Sequence, residues 1–356
     1  MAMNHVFLGL GGAGVRTVDS LRSRLLKKYR GDNLRFFFVD SDAFVLERLG
    51  EHHNAVLQHS DTMMLYPDDL EYTHHQNPRL KAKDVFARHA VSFTERMKEL
   101  LNPFANDKVF MNGEPKICYW IVTGSCGFTG GGIAQDVLRL VNSIHREMFS
   151  DNVLCLTGLL CFMPGQYIKL SQSSPFLVGQ YVDNASAFFS EFARAKELKD
   201  YSALPGICIP MDMENDKGDV FPSLDAMYDK AADILYTLED YNVYSVIWSL
   251  RDIYVVRSMD DCEKGPDCFL TPIGLTTDKE DAKNVFFPLN DDGRDRSVME
   301  KTIYICPANA YEESREHGSL NCLFVNDFNA TEITYIAVRM CHSYKDYATV
   351  RFDRCR

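Results

Sequence analysis

Short apolar runs alternate with stretches of helical period from residue 5 to residue 240, the pattern of strands and helices laid down in turn. His5-Val6-Phe7-Leu8 predicts a strand, and Val15, Val18, Leu21, Leu25 and Leu26 predict a helix after it. Arg35-Phe36-Phe37-Phe38-Val39 predicts a second strand ending in Asp40-Ser41-Asp42, with Phe44-Val45-Leu46 starting another helix. Ala55-Val56-Leu57 reads as a small third strand. Residues 59–115 are polar and mixed, with a helix over Val85 to Leu101 that Asn102-Pro103 should end. Ile117 to Val122 predicts a buried strand, and Ile133, Val137, Leu138, Leu140 and Val141 a helix. Val153 to Phe162 is apolar almost throughout, as a strand covered on both faces must be. A helix from about Phe176 to Leu198 and a short strand at Gly206-Ile207-Cys208-Ile209-Pro210 follow. Ser223 then caps a helix with Leu224, Met227, Tyr228, Ala231, Leu235 and Leu238 on its period. Beyond it the pattern loosens. Val243 to Val256 fits helix or strand, and Asp260 to Lys283 is loop-rich. Asn290 to Asp295 reads as a turn. Thr302 to Cys306 and Glu332 to Val338 predict strands.

Two strand-to-helix junctions are rich in glycine. Gly9-Leu10-Gly11-Gly12-Ala13-Gly14 follows the first strand, and Cys126-Gly127-Phe128-Thr129-Gly130-Gly131-Gly132 follows the strand that ends near Val122. Strand, glycine loop, helix is an order that aims backbone N–H groups and the positive end of a helix at one point, where phosphate commonly binds. The bland alternative is a tight turn needing positive φ. The first loop with Asp40 also matches a dinucleotide fingerprint, but that reading leaves the second loop without a role.

With both loops in hand the chain resembles the tubulin/FtsZ superfamily of GTPases, and most of all the divergent bacterial tubulin-like proteins. Gly9 to Val15 resembles the family's first loop, and Asp40-Ser41-Asp42-Ala43 its Asn-Thr-Asp-like segment. The stretch from Cys126 to Gly132 resembles its GGGTGTG signature, with Cys126 and Phe128 standing where the pattern has glycine. The resemblance implies an α/β fold: a Rossmann-like parallel-sheet GTP-binding domain over 1–222, a central helix over 223–242 and a smaller α+β domain over 243–356. It implies phosphate contacts from Gly11, Gly12, Ala13, Gly14, Gly127, Phe128, Thr129, Gly130 and Gly131. Ribose or base contacts would come from Asp19, Tyr228 and Asp233, and Mg²⁺ would be held through water by Asp42. GTP and GDP are the implied ligands, and a bulky residue at Gly130 is expected to abolish binding without unfolding. The family's hydrolytic NxDxxD pattern is missing from residues 236–262, so no catalytic residue is assigned and slow hydrolysis is expected. The implied partner is a second copy, docked head-to-tail in oligomers or filaments, with other protein partners left open.

Composition narrows the alternatives. A net charge of −12 and 46% hydrophobic content are those of a globular protein without a nucleic-acid surface. Lys27, Lys28 and Arg30 form a short basic cluster that reads as a solvated helix end. Eleven cysteines lie mostly in apolar strands with no CxxC pair, as expected of reduced thiols in a cytoplasmic protein. The acidic stretch Asp212 to Asp219 lacks the turn glycine and bidentate Glu of a calcium loop and reads as solvated. Asn184 and Glu191 read as solvated or capping residues, with a functional role as the alternative, and no apolar run is long enough to span a bilayer. Three functions remain: a self-assembling tubulin-like GTPase, an NAD- or FAD-dependent oxidoreductase, or a nucleotide-binding scaffold without catalysis.

Overall fold

A computed structural model describes residues 3–28, 32–50, 59–65, 77–106, 116–149, 153–164, 175–205, 207–211, 213, 221–240, 269–274, 301–305 and 336–341. They fall in two compact units, Met1–Pro205 and Gly206–Arg356.

Five strands of the first unit lie side by side in the order β3-β2-β1-β4-β5, all parallel. They are β1 (Met3–Leu10), β2 (Leu34–Asp40), β3 (Ser60–Met64), β4 (Lys116–Gly124) and β5 (Leu154–Phe162). Helices cover both faces, which is why β2 is buried at every position and Phe36, Phe37 and Phe38 can follow one another. The helices are α1 (Gly11–Lys28), α2 (Ala43–Glu47), α3 (Pro78–Asn106), α4 (Thr129–Met148) and α5 (Pro175–Glu197). Val15, Val18, Leu21 and Leu25 of α1 are buried as their spacing foretold. Gly158 of β5 pairs with Trp120 of β4, and a Cβ there would lie 2.6 Å from the indole, so the glycine makes room for the ring.

Three expectations for this unit change. The third strand is Ser60–Met64, while residues 55–57 lie outside the described residues. α3 starts at Pro78, seven residues before the expected Val85. It also runs through Pro103 to Asn106. Proline there forfeits the bond that an N–H at 103 would make to the carbonyl four residues back. What carries the helix onward is Phe104, 2% exposed, whose ring receives the Arg35 guanidinium at 4.4 Å. Arg35 Nε also donates to Leu100 O at 3.0 Å.

In the second unit, β6 (Ile207–Met211) precedes α6 (Leu224–Asp240). Ser223 caps α6 as expected, its Oγ accepting from Ala226 N at 3.1 Å. Three further strands, β7 (Phe269–Gly274), β8 (Lys301–Ile305) and β9 (Ile336–Cys341), form an antiparallel sheet in the order β7-β9-β8. β7 lies in a stretch expected to be loop. Its Pro272 hides the strand in the sequence, yet an edge strand tolerates proline, and the register shifts beside it. The acidic stretch, Val243 to Val256, Asn290 to Asp295 and residues 332–335 lie largely or wholly outside the described residues.

Candidate functional site

β1 and β4 are neighbours, pairing from Met3↔Lys116 to Leu10↔Thr123, and the chain leaves them in opposite directions, to β2 and to β5. Crevices at such a switch point, beyond the carboxyl ends of the strands, are where open α/β sheets bind ligands. Both glycine loops open there.

The loops touch, and their glycines divide into two groups. A Cβ at Gly11 (φ 68°) would lie 2.9 Å from Gly130 N. A Cβ at Gly14 would meet Val122 O at 2.0 Å, and one at Gly130 would meet Thr123 Oγ1 at 2.2 Å and Leu10 O at 2.3 Å. One at Gly131 would meet Ser125 O at 2.7 Å. These buried glycines let α1 and α4 press onto the strands. A bulky residue at Gly130 would therefore unseat α4, which corrects the expectation that it would leave the fold intact. Gly12 and Gly127 differ: both are part-exposed, and a Cβ on either would find no atom within 3.5 Å. Those two positions form the open cradle. Ala13 and Thr129 are buried, each 7% exposed, and Phe128 is exposed beside Tyr181, ring centroids 6.3 Å apart. Phe128 offers α4 no side-chain cap, so the positive end of that helix stays open.

The end of β2 closes the third side. Ser41 Oγ lies 2.7 Å from Thr129 Oγ1. Asp40 is 3% exposed, and its Oδ1 accepts from Ser41 N at 2.7 Å and Asp42 N at 3.3 Å. Its Oδ2 is buried without a hydrogen bond, on the side facing Gly12. Burial pushes the Asp40 carboxyl up to about 6, with the nearby Asp42 charge adding to the rise, against the pull of those two backbone N–H groups and of the Thr129 hydroxyl. Asp42, the expected metal ligand, is exposed, and its Oδ1 accepts from Phe44 N at 2.9 Å, capping α2. The buried acid of this segment is Asp40, two positions earlier.

The remaining expected residues stand elsewhere. Asp19 is two turns along α1 from the loop and pairs with Arg22 at 2.5 Å. Arg22 also donates to Leu49 O at 2.9 Å. Tyr228 and Asp233 both lie on α6, but five positions are about 140° of helical turn, so they do not share a face. Tyr228 is 5% exposed, whereas Asp233 is half-buried and 3.7 Å from Lys230. Asn184 and Glu191, expected in solvated or capping roles, are structural partners instead. Asn184 is buried and donates to Cys126 O in the second loop, and Glu191 binds Arg79 through both carboxylate oxygens, at 3.1 and 2.6 Å. Among the described residues, no three His, Cys, Asp or Glu side chains gather to hold a metal, and no helix is long and apolar enough to cross a membrane.

No family model matches the sequence, and no curated protein does. Solved structures do match. CetZ2 from Haloferax volcanii, a GTPγS-bound protofilament, aligns over 99% of this chain and 99% of its own, at 15% identity and TM-score 0.52. TubZ from Bacillus thuringiensis serovar israelensis, a GTPγS-form protofilament, aligns over 99% of this chain and 89% of its own, at 15% identity and TM-score 0.52. The chain has the tubulin/FtsZ fold. Within that fold the alignment with CetZ from Methanosaeta thermophila is shorter: this chain spans 55% of that protein, with 72% of its own length aligned, 13% identity and TM-score 0.41. The neighbours come from Haloferax as well as Bacillus, so the tubulin/FtsZ fold does not single out the bacterial relatives.

Proposed function

We infer that this chain binds guanine nucleotide at the switch point between β1 and β4 and assembles head-to-tail. One observation carries the reading: two glycine loops meet at adjacent strand ends, leaving Gly12 and Gly127 open beside the uncapped start of α4. A dinucleotide fold shares the strand order β3-β2-β1-β4-β5, but it needs one glycine loop and gives the second nothing to do.

The residues present fit a nucleotide with Mg²⁺. The orphaned Oδ2 of Asp40 faces the cradle, and Mg²⁺ characteristically takes one or two carboxylates together with phosphate oxygens and water. Asp40 would hold the cation and Asp42 stands further out, at the mouth. The cation would neutralise phosphate charge; the loop N–H groups and the Thr129 hydroxyl would orient the phosphates. Residues 1–222 form the nucleotide domain in this reading, 223–242 the central helix with Tyr228 and Asp233 as base-side candidates, and 243–356 the C-terminal domain. CetZ2 and TubZ were solved as GTPγS protofilaments, which supports a second copy as the partner. Hydrolysis is slow, because the sequence lacks the NxDxxD carboxylates.

Binding of GTP against NAD tests the site, and phosphate release as the protein concentration rises tests the coupling to assembly. Preference for NAD would overturn the reading. GTP binding with no turnover at any concentration would leave a non-hydrolysing scaffold.

A further inference from the structure

The Cys126 carbonyl is held from outside its own loop. Asn184, on α5 and 1% exposed, donates from Nδ2 to Cys126 O at 3.3 Å. Its Oδ1 accepts from Asn77 Nδ2 at 3.3 Å, and Asn77 Oδ1 accepts from Arg79 N at 2.8 Å at the start of α3. The chain of bonds fixes each amide the one way round that satisfies both ends. Glu191 lies seven positions beyond Asn184, on the same face of α5, and Arg79 grips it there. α5 is therefore registered on the first turn of α3 at two points. On the other flank, Ser125 N and Ser125 Oγ both donate to Phe162 O, at 2.8 and 2.7 Å. The loop is pinned to β5 through Ser125 and to α5 through Cys126, and the next residue is the open Gly127. In a trans peptide the C=O and N–H point in opposite directions. Drawing Cys126 O toward α5 turns Gly127 N–H the other way.

We propose that Asn184 is a positioning residue, setting the Cys126–Gly127 peptide plane so that Gly127 N–H is presented to a bound phosphate. This rests on the nucleotide reading above. A merely structural amide would do what Gln135 does, donating from Nε2 to Glu191 O at 3.0 Å and tying α4 to α5 without touching the loop.

The test compares wild type with Asn184→Leu, Asn77→Ser and Gln135→Leu. The readouts are GTP affinity by calorimetry, melting of the ligand-free protein, and the Gly127 amide resonance with and without GTP. Asn184→Leu loses about tenfold in affinity, and Asn77→Ser, whose hydroxyl still caps α3, about threefold. Gln135→Leu keeps wild-type affinity although it lowers the melting temperature. GTP shifts the Gly127 amide in wild type and leaves it in place in Asn184→Leu. Affinity in Asn184→Leu within about twofold of wild type, or an equal loss in Gln135→Leu, overturns the proposal. If Asn184→Leu does not fold, Asn77→Ser decides, and unchanged affinity there overturns it. A wild type that binds no guanine nucleotide is a separate result, which removes the site reading and this proposal with it.

Discussion

Ser41 Oγ and Thr129 Oγ1 lie 2.7 Å apart, although 88 positions separate them in sequence. One follows β2 directly and the other opens α4, so the bond joins the acidic segment to the second glycine loop. An ionised carboxylate there is costly. The Asp40 pKa rises from 3.8 to about 6, so proton binding favours the fold, and that stability is lost as pH rises from about 4 through about 6. At neutral pH the cost is about 3 kcal/mol. Asp40→Asn, which keeps an acceptor for Ser41 N, should therefore stabilise the ligand-free protein against urea at pH 7.5 while removing the Mg²⁺ dependence of GTP binding. A less stable variant would mean that Asp40 serves the fold.

The two classes of glycine should respond in opposite ways. Gly12→Ala adds a methyl at ordinary contact distance from Asp40 and Val45, so melting should hold or rise, since alanine is the better helix former by about 0.5–1 kcal/mol. GTP affinity should fall at least tenfold, because the methyl occupies the cradle. Gly130→Ala drives a Cβ into Leu10 O and should lower melting before binding is considered. Calorimetry beside thermal unfolding separates the two, and unchanged affinity in a folded Gly12→Ala would sink the cradle.

His145 provides a pH effect of opposite sign. Its Nε2 donates to Val153 O at 2.8 Å, and its Nδ1 lies 3.0 Å from Tyr119 Oη, whose hydroxyl donates to the neutral ring. Burial, with Arg146 nearby, holds its pKa below the ordinary 6.5. Its stability is present above 6.5 and lost as pH falls through the folded value. Asp40 and His145 thus act with opposite sign on the acid side of neutrality. Urea midpoints from pH 7.5 to 5 should fall more steeply in Asp40→Asn than in wild type, and less steeply in His145→Gln. Parallel profiles in all three proteins would show that neither group governs the acid limb.

What the sequence revealed was local. Glycine spacing, the apolar strands β1, β2, β4 and β5, and the Ser223 cap are short-range patterns, and each appears where it was read. The misses have long-range causes. Pro103 reads as a stop unless one knows that Phe104 packs under Arg35, 69 positions away. Pro272 hides an edge strand. Asp40 and Asp42 look interchangeable until the end of β2 shows one buried and the other capping α2. Asn184 reads as a polar residue on an amphipathic helix, and its partner, the Cys126 carbonyl, carries no sequence signal at all. Gly12 and Gly130 likewise differ only in what the strands place opposite them.

The resemblance to the family assigns base choice to α6. Tyr228 and Asp233 lie about 140° apart around the helix, so at most one can face a bound base. If it is Asp233, accepting from guanine donors, Asp233→Ala leaves those donors unpaired at a cost of about 1–3 kcal/mol. GTP should then weaken by about ten- to a hundredfold while ATP changes little. Competition binding of the two nucleotides reads this directly. Equal losses would assign Asp233 to its ion pair with Lys230.

The proposed head-to-tail assembly has a defined symmetry. A subunit closing over its neighbour's nucleotide makes a heterologous contact, and repetition of that contact builds a filament, not a closed pair. Docking needs a complementary surface more than a catalytic carboxylate, so the missing NxDxxD pattern should slow turnover without preventing contact. A net charge of −12 opposes the stacking of identical subunits. Added salt shortens the range of that repulsion, to roughly 8 Å at physiological ionic strength, so assembly should strengthen as salt rises. Light scattering with GTP and Mg²⁺ across a salt series, followed by negative-stain microscopy, should show long-lived head-to-tail oligomers or filaments. They should persist longer than those of relatives that keep the hydrolytic carboxylates. A strictly monomeric protein with GTP bound at high concentration would rule out the filament and leave a nucleotide-binding module.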